Sequence, residues 1–400
     1  MGGPSRVEEI CEVFRGLCMG PSNDWLDSYK QEGGKIIGTL YNQVPEEVVL
    51  AAGMLPVRLR AQGSTGTEAS DARFTMVNCS LIKHFYDSAA KGRFGFIDGL
   101  VATNACDHIR KLWENWTDVL KPGYSHLICF PKRRGDELEA AHLAGEYRKF
   151  AESLEEAFGV KITDESLKAA IEACNEKRAL LMRLHALRGA AVPPISGSQM
   201  LAVGIAATCS PLDKLIPLLK ELVEACEAAV AESAAEPAEG GCPACAKERT
   251  ARVVLYGGEL DSLPFVEAIE SQGAQIVGDS LGGYGRRQAD MQVATEGDPY
   301  ENLARAYLQG RPAEPRLHGT RAERWAYLES VAEEVHADGY IQVHVPLCDL
   351  WSYERLMFDV EVANKGLRCL DLDTEYIFAN AGQTRTRVQA FVETLTEGGR

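Results

Sequence analysis

Asp98-Gly99-Leu100-Val101-Ala102-Thr103-Asn104-Ala105-Cys106-Asp107-His108 is the stretch from which the fold of this 400-residue chain is read. The mostly apolar run Phe96 to Ala102 predicts a buried parallel strand. Small and polar residues end it, and Cys106-Asp107 opens a helix predicted to run to about Leu120. A cysteine at the carboxyl end of a parallel strand stands where open α/β sheets place their ligands. It also faces the positive end of a helix dipole, which favours thiolate over thiol.

Two other cysteines share that setting. Met76-Val77-Asn78 leads into Cys79, which starts the helical stretch SLIKHFYDSAAKG. The strand Tyr340 to Val345 leads through Pro346-Leu347 to Cys348-Asp349, with a helix to about Asn364. Cys79, Cys106 and Cys348 are predicted to meet in one polar cleft and to ligate an iron–sulfur cluster. Three thiolates leave a fourth metal position open. In a [4Fe–4S] cluster that exposes one iron to substrate; with zinc and a water it makes a hydrolytic site.

Outward from these junctions, strands alternate with helices. Lys35–Tyr41 and Met54–Arg60 read as strands, with a helix after Val44-Pro45-Glu46-Glu47 that closes on Gly53. Strand 126–131 and helix 137–158 continue the pattern, which argues for a parallel sheet covered on both faces. Gln62 to Ala72, polar and rich in Gly, Ser and Thr, is expected to be a mobile active-site wall. From Thr163 to Glu232 the spacing is helical, and Ser233 to Glu248 reads as a linker. Alternation then resumes with RVVLYGG, QIVGDSL, YIQVHV and RCLDLD as strands. The expected class is α/β, with two flavodoxin-like parallel-sheet domains joined by a helical segment. The boundaries are a helical segment over 1–34, a first domain over 35–160, a helical segment and linker over 161–249 and a second domain over 250–400.

The formal net charge of −16 argues against a nucleic-acid partner, which demands a concentrated basic surface. No apolar run is long enough to span a bilayer and no signal-peptide pattern is seen, so a cytoplasmic protein is expected. Twelve irregularly spaced cysteines in a reducing compartment do not suggest disulfides. Cys129, Cys174, Cys209, Cys226 and Cys369 read as small core residues. Cys11 and Cys18, seven apart, are expected on one helix face. Cys242-Pro243-Ala244-Cys245 is a lone C-x-x-C within the linker, without a second pair. Lys132-Arg133-Arg134 reads as a solvated basic turn or a phosphate site. Neither Gly257-Gly258 nor Gly282-Gly283-Tyr284-Gly285 fits a dinucleotide fingerprint, and no P-loop or G-x-S-x-G is present. His84, His108 and His344 fall near the proposed site and read as structural.

Taken in order, a set of motifs resembles a known family: Val44-Pro45-Glu46-Glu47, Ala51 to Arg58, Asn78-Cys79-Ser80, Asp98 to Arg110, Asp279-Ser280-Leu281, Ala337-Asp338-Gly339-Tyr340, Cys348-Asp349, Asp371-Leu372-Asp373 and Gly382 to Phe391. They are similar to the 2-hydroxyacyl-CoA dehydratase and benzoyl-CoA reductase family from about residue 35 to 395. The resemblance implies a [4Fe–4S] cluster on Cys79, Cys106 and Cys348 within an oxygen-sensitive complex. It also implies a paralogous second subunit, an ATP-hydrolysing iron–sulfur activator protein that delivers single electrons, and a CoA thioester substrate. Asp98 to Arg110 looks closest to the benzoyl-CoA reductase branch, so ring reduction through radical intermediates is the expected reaction. A 2-hydroxyacyl-CoA dehydratase, which expels hydroxyl through a ketyl radical, and a double-cubane-cluster reductase are the alternatives within the family. Outside it stand a zinc hydrolase and a cluster-free scaffold. Glu47 is the expected acid that touches iron or substrate. Gly282 departs from the pattern, because many relatives carry a cysteine there.

Overall fold

The computed structural model describes residues 4–104, 106–235 and 250–397, so Cys242 and Cys245 lie outside the described residues. Two four-stranded parallel sheets form the centre. In the first, β1 (Ile36–Leu40), β2 (Leu55–Arg58), β3 (Gly99–Thr103) and β4 (Ser125–Ile128) lie in the order β2-β1-β3-β4. In the second, β5 (Ala251–Gly257), β6 (Ala274–Leu281), β7 (Gly339–His344) and β8 (Cys369–Asp373) repeat that order as β6-β5-β7-β8. This is the α/β architecture that the alternation predicts.

The helices before the second sheet are α1 (Arg6–Gly16), α2 (Asp24–Gln31), α3 (Glu46–Ala51), α4 (Glu68–Asp71), α5 (Ser80–Ala90), α6 (Asp107–Asn115), α7 (Glu137–Phe158), α8 (Asp164–Leu187), α9 (Gly197–Ala206) and α10 (Leu212–Ala235). Those that follow are α11 (Leu263–Glu270), α12 (Arg286–Ala289), α13 (Pro299–Arg305), α14 (Arg321–Glu334), α15 (Asp349–Lys365) and α16 (Ala381–Glu397).

The inner strands β1, β3, β5 and β7 are buried on both faces almost throughout, which is why they read as apolar runs instead of alternating. Ile36, Leu40 and Leu100 face a core shared with α2, α5 and α6. Ile37 and Val101 face the opposite core, made with α3, α7 and α8. Val253, Leu255 and Ile341 likewise pack against α1, α9, α10 and α16, while Val254 and Tyr340 pack under α14 and α15. The halves share these cores. Met291, Val293, Leu303 and Tyr307 from the second half fill the first sheet's core, and α13 packs on α7.

The two third strands are built alike. Asp98 precedes β3, accepts a hydrogen bond from Ile36 N at 2.8 Å and donates its own N–H to Ile36 O at 2.7 Å. Asp338 precedes β7 and does the same with Arg252, at 2.9 and 2.7 Å. Each strand thus enters on Asp-Gly and leaves towards Cys-Asp.

Some expectations need correction. The helix after Cys106 is α-helical only to Asn115, then widens into a π-turn over Trp116–Leu120. It stops at Lys121 in the left-handed region, where the following Pro122 disfavours further helix. Cys129 is exposed rather than core, at the end of the edge strand β4. Cys369 is half-buried. Cys11 and Cys18 do not share a helix, since α1 ends at Gly16, although both are buried in one core. Gln62 to Ala72 lines none of the main cavities. Arg93 fastens it by a 2.8 Å bond to Gln62 O, and Asp87 holds Ala69 N. Among the described residues no helix is long and apolar enough to cross a membrane.

Candidate functional site

Cys79, Cys106 and Cys348 are the N-cap residues of α5, α6 and α15. Together they line one cleft at the carboxyl ends of both sheets, with ≈ 540 Å³ of empty space counted out to the surface. Tyr41, Glu259 and Trp351 complete its principal walls. The convergence follows from topology, because Cys106 and Cys348 leave equivalent strands of two sheets with the same order. His108 fastens the arrangement. It lies two residues past Cys106, its Nδ1 accepts the backbone N–H of Cys79 at 3.4 Å, and its Nε2 lies 3.7 Å from Asp349 Oδ2, next to Cys348. His344 bridges Asp373 and Ser352 at 2.9 and 2.8 Å, and His84 binds Ser64.

Two residues at this cleft hold backbone conformations unusual for their type. Tyr41, just past β1, has φ +74°, and Leu347, just before Cys348, has φ +64°. Left-handed conformations cost bulky residues about 1–2 kcal/mol and persist where surrounding contacts impose them. For Tyr41 those contacts are visible. The Arg316 guanidinium lies 4.7 Å from its ring centroid, and its hydroxyl reaches Glu314 at 3.4 Å.

The expected thiolate bias of the helix N-termini is overridden. The Cys106 sulfur does accept Ile109 N–H at 3.4 Å, and that bond, the His108 amide and Arg316 favour the thiolate. Burial outweighs them and pushes the Cys106 thiol up. Burial, then the neighbouring Cys348, does the same to Cys79. Burial carries Cys348 up to about 12, against the amide of Trp351. Three thiols held protonated chiefly by burial are suited to a cation, which replaces the protons and satisfies the sulfurs.

The surroundings carry surplus positive charge. Arg287 is 1 % exposed, and none of its side-chain nitrogens has a hydrogen-bond partner among the described residues. Its guanidinium lies 6.0 Å from the ring centroid of Trp351, a cleft wall. Arg316 uses one nitrogen on Glu314, and its Nε and Nη1 have no partner among the described residues. Arg311 shares the same Glu314 carboxylate, at 2.9 Å. These guanidinium groups share the Glu314 carboxylate and leave buried N–H groups without hydrogen-bond partners among the described residues, which favours a further anionic group nearby.

Glu47 is not among the residues lining the cysteine cleft. It is fully buried, paired with Arg178 and bonded by Tyr307 Oη at 2.9 Å. Arg178 and Tyr307 line a second, larger chamber of ≈ 770 Å³ empty space, together with Glu46, Lys177, Arg311 and Tyr41. Tyr41 therefore stands between the two spaces. Glu46, Glu47 and Cys174 offer donor atoms within 4.8 Å of one another. Lys177 and Arg178 already neutralise both carboxylates, so a metal ion there would meet two positive charges.

Glu259, Trp351, Arg287 and Arg316 escape a reading of the sequence. For Glu259 a signal existed, its position after Gly257-Gly258 at the end of an apolar strand. Those glycines point to close packing rather than to a dinucleotide. A Cβ on Gly258 would lie 2.8 Å from Trp351 Cδ1. The basic run Lys132-Arg133-Arg134 is not simply a solvated turn, since Arg134 binds Glu323 and the carbonyls of Gln309 and Arg311.

Comparison with known proteins adds the family. The profile of 2-hydroxyglutaryl-CoA dehydratase, D-component, matches residues 41–395. The chain is 27% identical over 397 residues to the (R)-phenyllactyl-CoA dehydratase beta subunit of Clostridium sporogenes, covering 98% of this chain and 100% of that one. It is 26% identical over 402 residues to the beta subunit of lactoyl-CoA dehydratase of Anaerotignum propionicum, with 98% and 100% covered. It is 26% identical over 353 residues to a benzoyl-CoA reductase subunit of Thauera aromatica, with 87% of each covered. By a profile match across nine-tenths of its length, this chain belongs to the 2-hydroxyglutaryl-CoA dehydratase D-component family, among whose relatives are subunits of 2-hydroxyacyl-CoA dehydratases and benzoyl-CoA reductase.

Proposed function

We propose that this chain is a [4Fe–4S]-bearing subunit of an enzyme that passes single electrons to a CoA thioester, with Cys79, Cys106 and Cys348 as ligands. The convergence of three helix-capping cysteines on one cleft carries the reading. When bound, the cluster supplies one-electron chemistry at low potential. The chain's own groups do the rest. The first turns of α6 and α15 direct N–H groups at Cys106 and Cys348, which stabilises the thiolates. Leu81, Ile82 and Ile109 exclude water from the cleft. Arg287 and Arg316 balance the negative charge that thiolates and an added electron bring. Glu47 acts at one remove, by positioning Arg178 and Tyr307 in the wall of the larger chamber.

For the reaction we infer elimination of water from a 2-hydroxyacyl-CoA. Relatives named as dehydratase beta subunits align over 98% of this chain and over their entire length. Reduction of benzoyl-CoA is the second reading, favoured by the likeness to the benzoyl-CoA reductase subunit of Thauera aromatica. A paired subunit is in line with the relatives' names as subunits, and an ATP-hydrolysing activator is the electron source this reading calls for.

Anaerobic iron and acid-labile sulfide analysis with EPR, wild type beside Cys106→Ser, tests the cluster. About four irons per chain, lost or altered in the variant, are expected. No iron in a folded chain, or iron content and spectrum unaffected by the substitution, would sink the assignment, and stoichiometric zinc would replace it with the hydrolase reading. In the reconstituted complex, turnover of a 2-hydroxyacyl-CoA is expected; ring reduction of benzoyl-CoA instead would reverse the choice of reaction.

A further inference from the structure

We propose that the outer face of α15 is the surface on which a second, non-identical subunit docks; this rests on the reading of the chain as one subunit of a paired enzyme. A helix turns about 100° per residue. Trp351, Phe358 and Val362 therefore form one stripe of α15, which is buried. Tyr353, Leu356 and Val360 form a second stripe on the opposite side, 67, 61 and 45 % exposed. A helix that is apolar all round is a buried helix. The neighbouring α14 packs on the same core, and its exposed residues are charged or small, among them Arg321, Glu323, Ser330 and Glu333. That is the outward face water selects, and α15 lacks it.

Single exposed apolar residues are ordinary, but five of the eleven large ones among the described residues fall between Leu347 and Leu367. Those five leave roughly 500 Å² uncovered, near the top of the range for the largest patch on a monomer. Met76 and Val77, also exposed, lead into Cys79 at the same cleft and bring the total to about 800 Å², one partner's share of a standard interface. An apolar surface of that size suits a permanent subunit, whereas transient electron-transfer encounters bury less. The activator is thereby the poorer occupant. The border of the face is acidic. Asp349 has a side chain 70 % exposed, and Arg355 is already shared by Asp371 and Asp373, each at 2.7 Å. Burial and the neighbouring Asp371 push the Asp359 carboxyl up. A second copy of this chain would set acid against acid, so the occupant is a different chain with an apolar centre and basic groups around it. Tyr353 stands about 8 Å along the helix axis from Cys348, so a subunit seated here borders the cysteine cleft.

The full-length chain is to be expressed anaerobically, alone and with a second chain that matches the same family profile. Wild type is compared with Leu356→Lys combined with Val360→Lys, with Asp359→Lys, and with Leu138→Lys on the exposed face of α7. The readouts are mass in solution, affinity for the second chain, hydrogen exchange over 347–367 and, separately, iron content. The wild type is expected to pair, with the α15 amides protected further in the pair. The double substitution is expected to keep the wild-type melting midpoint and to bind the second chain at least about thirtyfold more weakly, as loss of a hot spot does. Asp359→Lys reverses a border charge and leaves the apolar stripe in place; it is expected to weaken pairing most at low salt. Leu138→Lys is expected to pair like the wild type. Equal affinity of the double substitution and the wild type, or pairing without added protection of α15, would overturn the docking face. So would a wild type that dimerises with itself through α15, or a double substitution that loses the activator and keeps the second chain. A wild type that binds no second family chain removes the subunit reading and this inference with it. A pair that lacks iron removes the cluster reading and leaves the docking face standing.

Discussion

At Cys106 two opposing influences meet. The N-terminus of α6 stabilises a thiolate, as any helix start does, and enclosure between two sheets destabilises it. Burial wins, so the neutral thiol is the favoured form of Cys106. Glu47 poses a similar question of role. Its carboxylate is wholly occupied by Arg178 and Tyr307. Glu47→Gln leaves Arg178 with Glu46, 3.3 Å away, as its remaining carboxylate partner, beside a 3.4 Å bond to Asn175. We expect a loss of about 3–5 kcal/mol in stability, the range for breaking a buried pair by removing one partner, measured by urea unfolding. Unchanged stability with lost turnover would instead put Glu47 in contact with substrate.

Among the elements, α9 is tightly constrained. It sits between α1, α8 and α11 and touches β6. A Cβ on its Gly204 would fall 2.0 Å from the backbone oxygen of Tyr284, an atom that cannot move aside alone. Gly204→Ala is therefore expected to destabilise by about 1–3 kcal/mol or more, although alanine is the better helix former. Thermal unfolding measures it. An unchanged midpoint would mean that α9 and the Tyr284 turn separate without cost. The π-turn at Trp116–Leu120 lies at the same scale: helical periodicity continues through it, and only Pro122 hints at where the helix must stop.

Across the whole molecule, the two sheets are joined by buried polar contacts at their carboxyl ends. Arg60 pairs with Asp261 at 3.1 Å, Tyr376 Oη donates to Asp261 at 2.8 Å, and Asn42 donates to Glu314 at 2.7 Å. Glu314 holds Arg311 and Arg316 together, and these arginines keep its pKa at about 2 in spite of burial. A depressed carboxylate contributes stability that is complete above its unfolded pKa and disappears as pH falls through the folded one. We expect urea midpoints to drop from the ordinary carboxylate range near pH 4 down to about 2, partly on account of this group. Glu314→Gln should lower stability at neutral pH by about 3–5 kcal/mol and flatten that acid dependence. An acid profile that keeps its slope in the variant would place the titrating groups elsewhere.

The amino-acid sequence alone determined the strands, most helices and the three cysteines at helix starts. Each of these is a local pattern: apolar runs of strand length, capping residues, a cysteine at a helix start, followed by aspartate in two of the three. It did not reveal that the halves repeat one another. Seven residues separate Asp98 from Cys106 and nine separate Asp338 from Cys348, so the motifs do not align by eye. Only the tertiary structure decided which groups face the cysteines. Glu259 lies more than 150 residues from Cys106, and Arg316 more than 200, so no local spacing records either neighbour. It also placed the chain from Met291 to Leu317 in the first sheet's core. Apolar periodicity says that a face will be buried, and the competition among all such faces for partners settles where.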